Sequence, residues 1–114
     1  MDQKQFNERL RNAASTEDRM TLYDTYGEEL FEKEKYPEAI RIYSLALTIK
    51  NRPNLKAYFA GRIGICHFNA GNDQEAFKFL RQSARLFRPD KPEFMEDMYG
   101  FVHFHLGSLY EYHG

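Results

Sequence analysis

Two stretches of this chain, Gly27-Glu28-Glu29-Leu30-Phe31 and Gly64-Ile65-Cys66-His67-Phe68, decide how the rest is read. They stand 37 residues apart, and the likeness continues downstream of both. Twelve residues beyond each glycine lies an alanine, Ala39 and Ala76, preceded in both places by a glutamate, Glu38 and Glu75. Four residues after each alanine stands a large apolar residue, Tyr43 and Leu80, and seven after it a small one, Ala46 and Ser83. Self-similarity at a period of this size marks stacked helical units. Antiparallel helices approach closely only where small residues meet, so Gly27 against Ala39 and Gly64 against Ala76 are the expected crossing points.

Helical punctuation surrounds both copies. Ser15 or Thr16 offers an N-cap, Glu17 and Asp18 suit a first helical turn, and Ser15 with Asp18 resembles a capping box. Met20, Tyr23, Tyr26, Gly27, Leu30 and Phe31 then recur at helical spacing. Pro37 sits where a second helix begins, because its missing N–H is harmless at the first helical position. The stripe of Ala39, Ile42, Tyr43, Ala46, Leu47 and Ile49 runs to a breaker at Asn51-Arg52-Pro53-Asn54. The next helix spans about Leu55 to Ala70, with Gly71 as its left-handed terminal residue. Asn72 or Asp73 caps the one after, which runs to about Phe87. Arg88-Pro89-Asp90-Lys91-Pro92 breaks it, and a last helix begins near Pro92 and reaches Tyr112. At the start, Phe6 and Leu10 allow a short amphipathic helix and no more. The count is five helices and no sheet, since no segment alternates with period two for long.

Composition fits that outline. The 114 residues suffice for one domain. Eight Tyr and ten Phe with few β-branched residues suit helices packed through rings. The single cysteine, Cys66, rules out an internal disulfide and fits a reducing compartment; mid-helix among apolar neighbours, it reads as a small core residue. Neither an apolar leader nor a membrane-length apolar run is visible, so the expectation is a soluble, cytoplasmic protein. Net charge is −1 overall, but −3 over residues 1–37, +6 over 38–91 and −4 over 92–114.

The repeated residues resemble the tetratricopeptide repeat, a helix–turn–helix unit of about 34 residues. Residues 20–53 carry Tyr23, Tyr26-Gly27, Leu30, Tyr36, Ala39, Tyr43 and Ala46 where the family has its motif. Residues 57–89 carry Ile63-Gly64, Phe68, Gly71, Ala76, Leu80 and Ser83, and a third start stands at Leu106-Gly107-Ser108-Leu109-Tyr110. Gly114 occupies the place of that copy's turn glycine. Ala60 and His103 replace the usual leading aromatic, and His67 a common Tyr. The resemblance implies an all-α, right-handed stack of antiparallel hairpins. It would comprise a short N-terminal helix (1–15), two full repeats, and a half repeat or capping helix over 92–114. Gly27, Ala39, Gly64, Ala76 and Gly107 would be its packing positions.

The same resemblance implies a ligand groove lined by the first helix of each hairpin. Its residues would be Asp24, Glu28 and Phe31, then Tyr58, Ile65, Phe68 and Asn69, then Phe101 and Phe104, with Thr21, Glu32, Gly61, Ser108, Glu111 and Tyr112 beside them. That groove is acidic at its start and apolar beyond, which suits a partner with basic residues followed by aromatic or aliphatic anchors. Paired alanine substitution of Ile65 and Phe68 is expected to abolish capture without unfolding the chain. Asp24 and Glu28 stand where some tetratricopeptide co-chaperones have the Lys and Asn of a carboxylate clamp, which argues against that sub-function.

Other constellations carry less. Lys78, Arg81, Arg85 and Arg88 form a basic stripe at helical spacing, suited to an acidic protein; nucleic acid normally needs a larger positive excess. His103 and His105 fall on different helix faces and His113 two turns on, a poor set for one metal. No phosphate loop, nucleophile elbow or carboxylate pair in a pocket appears, so neither enzyme activity nor a cofactor is expected. The function expected is a non-catalytic adaptor, assembly factor or chaperone-like holder of a partner protein or peptide. The alternative is a homodimer through a bare apolar face of the last helix, Val102, Leu106, Leu109 and Tyr110.

Overall fold

A computed structural model describes residues 1–113, with side chains as far as Glu111. Over those residues the chain forms α1 (Gln3–Asn12), α2 (Thr16–Glu32), α3 (Tyr36–Ala46), α4 (Pro53–Asn69), α5 (Asp73–Leu86) and α6 (Glu96–His113), and no strand. The short N-terminal helix expected over residues 1–15 is α1, which brings the number of helices to six. Asp2 and Gln5 cap it reciprocally, Asp2 Oδ1 accepting from the Gln5 N–H at 2.8 Å and Gln5 Oε1 from the Asp2 N–H at 3.0 Å. Phe6 then buries itself between the rings of Tyr23 and Tyr26. The positions expected of Tyr112 and Gly114 in the groove and turn lie outside the described side chains.

Helix ends follow local chemistry. Ser15 caps α2 by accepting from the Asp18 N–H at 3.1 Å. At the end of α4, Gly71 takes φ +83°, and the Asn72 and Gly71 N–H groups donate to His67 O and Phe68 O, satisfying carbonyls the helix leaves open. The end of α2 has the same bonds, from Lys35 and Glu34 to Leu30 O and Phe31 O, but its left-handed residue is Glu34 at φ 59°. Asn72 occupies the N-cap position of α5 without a side-chain cap bond.

The last helix starts at Glu96, not near Pro92. The cause is Asn54, read from sequence as part of a breaker. It lies in the first turn of α4, fully buried, and its Nδ2 donates to the carbonyls of Arg88, Lys91 and Pro92 at 2.9, 3.1 and 2.9 Å. Its Oδ1 accepts the Arg88 N–H at 2.7 Å. Those four bonds hold residues 88–92 as a turn. Arg52 adds an outer tie, bidentate to Glu93 at 3.0 and 2.6 Å and bonded to Glu17 at 2.7 Å. The pair of carboxylates holds the guanidinium above its ordinary pKa, and Arg52 in turn helps to lower that of Glu17 after its backbone bonds.

Neighbouring helices pack in succession: α1 on α2, α2 on α3, α3 on α4, and α4 most extensively on α5, with α6 laid against α5 and α4. The molecule measures 46 × 33 × 19 Å, about two helix diameters thick. Helix α4 is apolar on most of its circumference because it serves two cores. Phe59, Ile63 and Cys66 join Phe6, Tyr26, Ile42 and Tyr43, whereas Ala57 and Ile65 join Leu80, Phe87, Val102 and Leu109.

Close approach of the hairpins differs in detail from expectation. A Cβ on Gly27 would stand 2.6 Å from Tyr43 Cζ, and one on Gly64 2.7 Å from Leu80 Cγ. The glycines therefore face the large residues four positions beyond Ala39 and Ala76, one helical turn on, and the match is the same in both hairpins. Ala39 and Ala76 are fully buried beside these contacts. Gly107 faces nothing within 4 Å of a Cβ position, so it is not a packing glycine. Gly61 is: a Cβ there would stand 3.0 Å from both Ser83 Oγ and Val102 Cγ2, where α5 and α6 meet α4. Of the α6 face expected to be bare, Val102, Leu106 and Leu109 are buried in the second core, and only Tyr110 stays exposed.

Candidate interaction face on α2, α4 and α6

Along α4 two depressions lie on the side shared with α2 and α6. Nearer its start, Met20, Thr21, Asp24, Leu55, Tyr58, Phe59 and Met95 enclose about 160 Å³. Nearer its end, Phe31, Arg62, Ile65, Asn69, Met98, Phe101 and His105 enclose about 330 Å³. The repeat pattern thus brings together Phe31, Ile65, Asn69 and Phe101 in one hollow, and Asp24 with Tyr58 in the other. Glu28 is exposed and lines neither.

Not every expected groove residue belongs. Phe68 is half-buried against the second core and meets His105 edge-on at 4.9 Å. Phe104 is 69% exposed and, with Phe101, Gly100, Glu96 and Asp97, lines a shallow patch on the outer side of α6. Ile65 is only 8% exposed, so truncating Ile65 and Phe68 together removes core contacts as well as groove surface. That pair is not a clean probe of the face; Phe101, 57% exposed, is a better one.

The acidic start of the groove is also altered. Asp24 accepts a 2.5 Å hydrogen bond from the Tyr58 hydroxyl, so its carboxylate is already engaged. Burial pushes the Tyr58 phenol well above its usual range, and the adjoining Asp24 charge pushes it further.

Arg62 stands outside the positions that the repeat alignment assigns to the groove, yet it lies at the centre of the face. Its Nε and Nη2 donate to the Tyr43 hydroxyl at 3.1 and 2.8 Å, and its guanidinium carbon sits 5.0 Å from the Phe31 ring centroid and 5.3 Å from that of Tyr43. Among the described residues it makes no ion pair. Burial works against the cation, but Tyr43, Tyr58 and Asp24 more than offset this and hold its pKa above the ordinary value. A signal was present in the sequence: Arg62 is the lone charge between Lys56 and His67, in an otherwise apolar run.

Elsewhere, Lys78, Arg81 and Arg85 lie exposed on α5, and Arg88 lies exposed just beyond its end. Arg88 curls back onto its own helix end, donating to Phe87 O at 2.9 Å, and Lys78 sits 5.5 Å from the Phe79 ring centroid. Cys66 is buried, and burial raises its thiol to about 11, against a lowering by Arg62. Among the described residues no three His, Cys, Asp or Glu side chains are placed to share an ion. None of their helices is long and apolar enough to cross a membrane. No family model matches the chain, and no curated protein or solved structure matches it either.

Proposed function

We propose that this protein is a non-catalytic interaction module of tetratricopeptide type, holding a peptide or helix of a partner protein along the α2–α4–α6 face. One observation carries the reading: Phe31, Ile65, Met98 and Phe101, from three different helices, converge on an open hollow and leave Phe101 57% exposed. An apolar surface drawn from several elements and rimmed by polar side chains suits a recognition site. The matched contacts Gly27–Tyr43 and Gly64–Leu80 support the repeat interpretation. Immobilised wild-type protein and a Phe101→Asp variant of equal melting temperature test it against a lysate of the parent cells. A partner retained by the first and lost by the second is the expected result; equal retention moves binding away from this face.

A second reading is self-association through the outer side of α6, favoured by the 69% exposure of Phe104 beside Phe101 and Gly100. It no longer involves Val102, Leu106 or Leu109. Sedimentation at rising concentration tests it, and a strict monomer at the highest concentration ends it.

A further inference from the structure

We infer that the α2–α4–α6 face takes a partner segment in which an internal Asp or Glu is flanked on both sides by apolar residues, its carboxylate received by Arg62. The inference rests on the interaction reading above and specifies the ligand's chemistry.

Arg62 is half-buried, and its five donor hydrogens exceed what one phenolic oxygen can accept. Nothing acidic among the described residues pairs with it, although buried or half-buried guanidinium groups are normally met by a carboxylate or phosphate. Asp24 lies near enough for its charge to favour the Arg62 cation, but it makes no contact with the guanidinium and accepts its hydrogen bond from Tyr58. Glu28 on α2 and Glu96 and Asp97 on α6 are exposed, where solvent and salt screen them. Two bonds to the Tyr43 hydroxyl and the nearby Phe31 ring hold the guanidinium in place, so little ordering remains for an incoming carboxylate to impose.

Position determines the rest of the ligand. Arg62 lines the larger hollow on its side towards the smaller one, with apolar walls at both ends: Met20, Leu55 and Phe59 at one, Ile65, Met98 and Phe101 at the other. From Leu55 to Ile65 the helix rises about 15 Å. An extended peptide covers about 13 Å in four residue steps, and its first, third and fifth side chains point the same way. The fitting pattern is apolar, any, acidic, any, apolar. A terminal carboxylate fits less well, because it leaves one hollow empty.

The test is an amide-and-guanidinium NMR titration of the full chain with N-acetyl-Phe-Gly-Glu-Gly-Phe-amide, whose side chains read alike from either end. Its Gln counterpart is the neutral control, and N-acetyl-phenylalanine represents a terminal carboxylate. The Glu peptide is expected to shift the Arg62 Nε–H, Ile65 and Asn69 signals and to bind about tenfold more tightly than the Gln peptide, the gain of a charge-assisted over a neutral bond. In Arg62→Met that advantage disappears; in Arg62→Lys part of it remains. Equal binding of the two peptides by the wild type overturns the inference while leaving an apolar interaction face intact. Tighter binding of N-acetyl-phenylalanine at the same signals overturns the internal position of the acid. No shift with any of the three at millimolar concentration overturns it outright, and the capture experiment with Phe101→Asp then decides the broader reading separately.

Discussion

The ring of Tyr43 fills the space where a side chain on Gly27 would have to stand, with Cζ 2.6 Å from the Cβ position. Tyr43 cannot swing aside freely. It is fully buried, 6.1 Å from the Phe59 centroid, and its hydroxyl accepts two bonds from Arg62. The first hairpin, the first core and the cation of the candidate face therefore meet at one side chain.

Gly27→Ala is accordingly expected to destabilise the fold by about 2 kcal/mol, because overpacking outweighs the roughly 1 kcal/mol that alanine gains in helix propensity. Gly107→Ala should do the reverse. With nothing within 4 Å of its Cβ position, only the propensity gain remains, about 0.5–1 kcal/mol. Urea unfolding of the two variants checks both signs.

Glu34 holds a left-handed conformation, φ 59°, at the place where the second hairpin uses Gly71. Left-handed backbone costs a residue with a Cβ about 1–2 kcal/mol, part of which glycine returns through its greater unfolded-state freedom. Glu34→Gly is expected to raise stability by about 0.5–1 kcal/mol in thermal or urea melts, and an unchanged or lowered midpoint contradicts this account.

Asn54→Ala removes four bonds to the 88–92 turn at a fully buried site. Leaving those backbone groups unpaired costs about 3 kcal/mol. Hydrogen exchange should show the loss first at the Arg88 amide and the start of α6, while α1 to α3 keep their protection until global unfolding.

Alkaline pH should unfold the protein through its buried phenols. Burial, and then the Asp24 bond, raises the Tyr58 pKa; burial also raises that of Tyr43, against the opposing Arg62 charge. A raised folded value means that the protonated form is favoured on folding. The stability it contributes is complete below the unfolded value of about 10 and is lost as pH climbs beyond it. Urea unfolding between pH 8 and 11 should fall steeply for the wild type and less steeply for Tyr58→Phe, which starts about 1 kcal/mol lower for want of its bond. Equal slopes would remove Tyr58 from the alkaline transition.

Much of the architecture was legible along the chain because it depends on neighbours in sequence. Ser15 as a cap, Pro37 in a first turn, Gly71 at a left-handed end and the apolar stripes of α2 and α3 all act over a few residues, where the sequence states the partners. The 37-residue repeat carried that logic one step further and paired α2 with α3 and α4 with α5. It chose Ala39 and Ala76 as the facing residues because sequence spacing tells which turn is small, not which side chain from the next turn enters the gap.

What only the folded chain decided involves partners far apart in sequence. Asn54 became a buried pin instead of a breaker because residues 88–92, some 34 positions on, supply its carbonyls. Val102, Leu106 and Leu109 lost their exposure when α6 lay down on α4 and α5, and Phe101 and Phe104 were left outside. Arg62 drew its meaning from Phe31 and Tyr43, two helices and one helix back in the chain and within contact in space. Caps and periodicity are short-range and written residue by residue. Desolvation of a charge depends on everything packed around it, and only three dimensions assemble that.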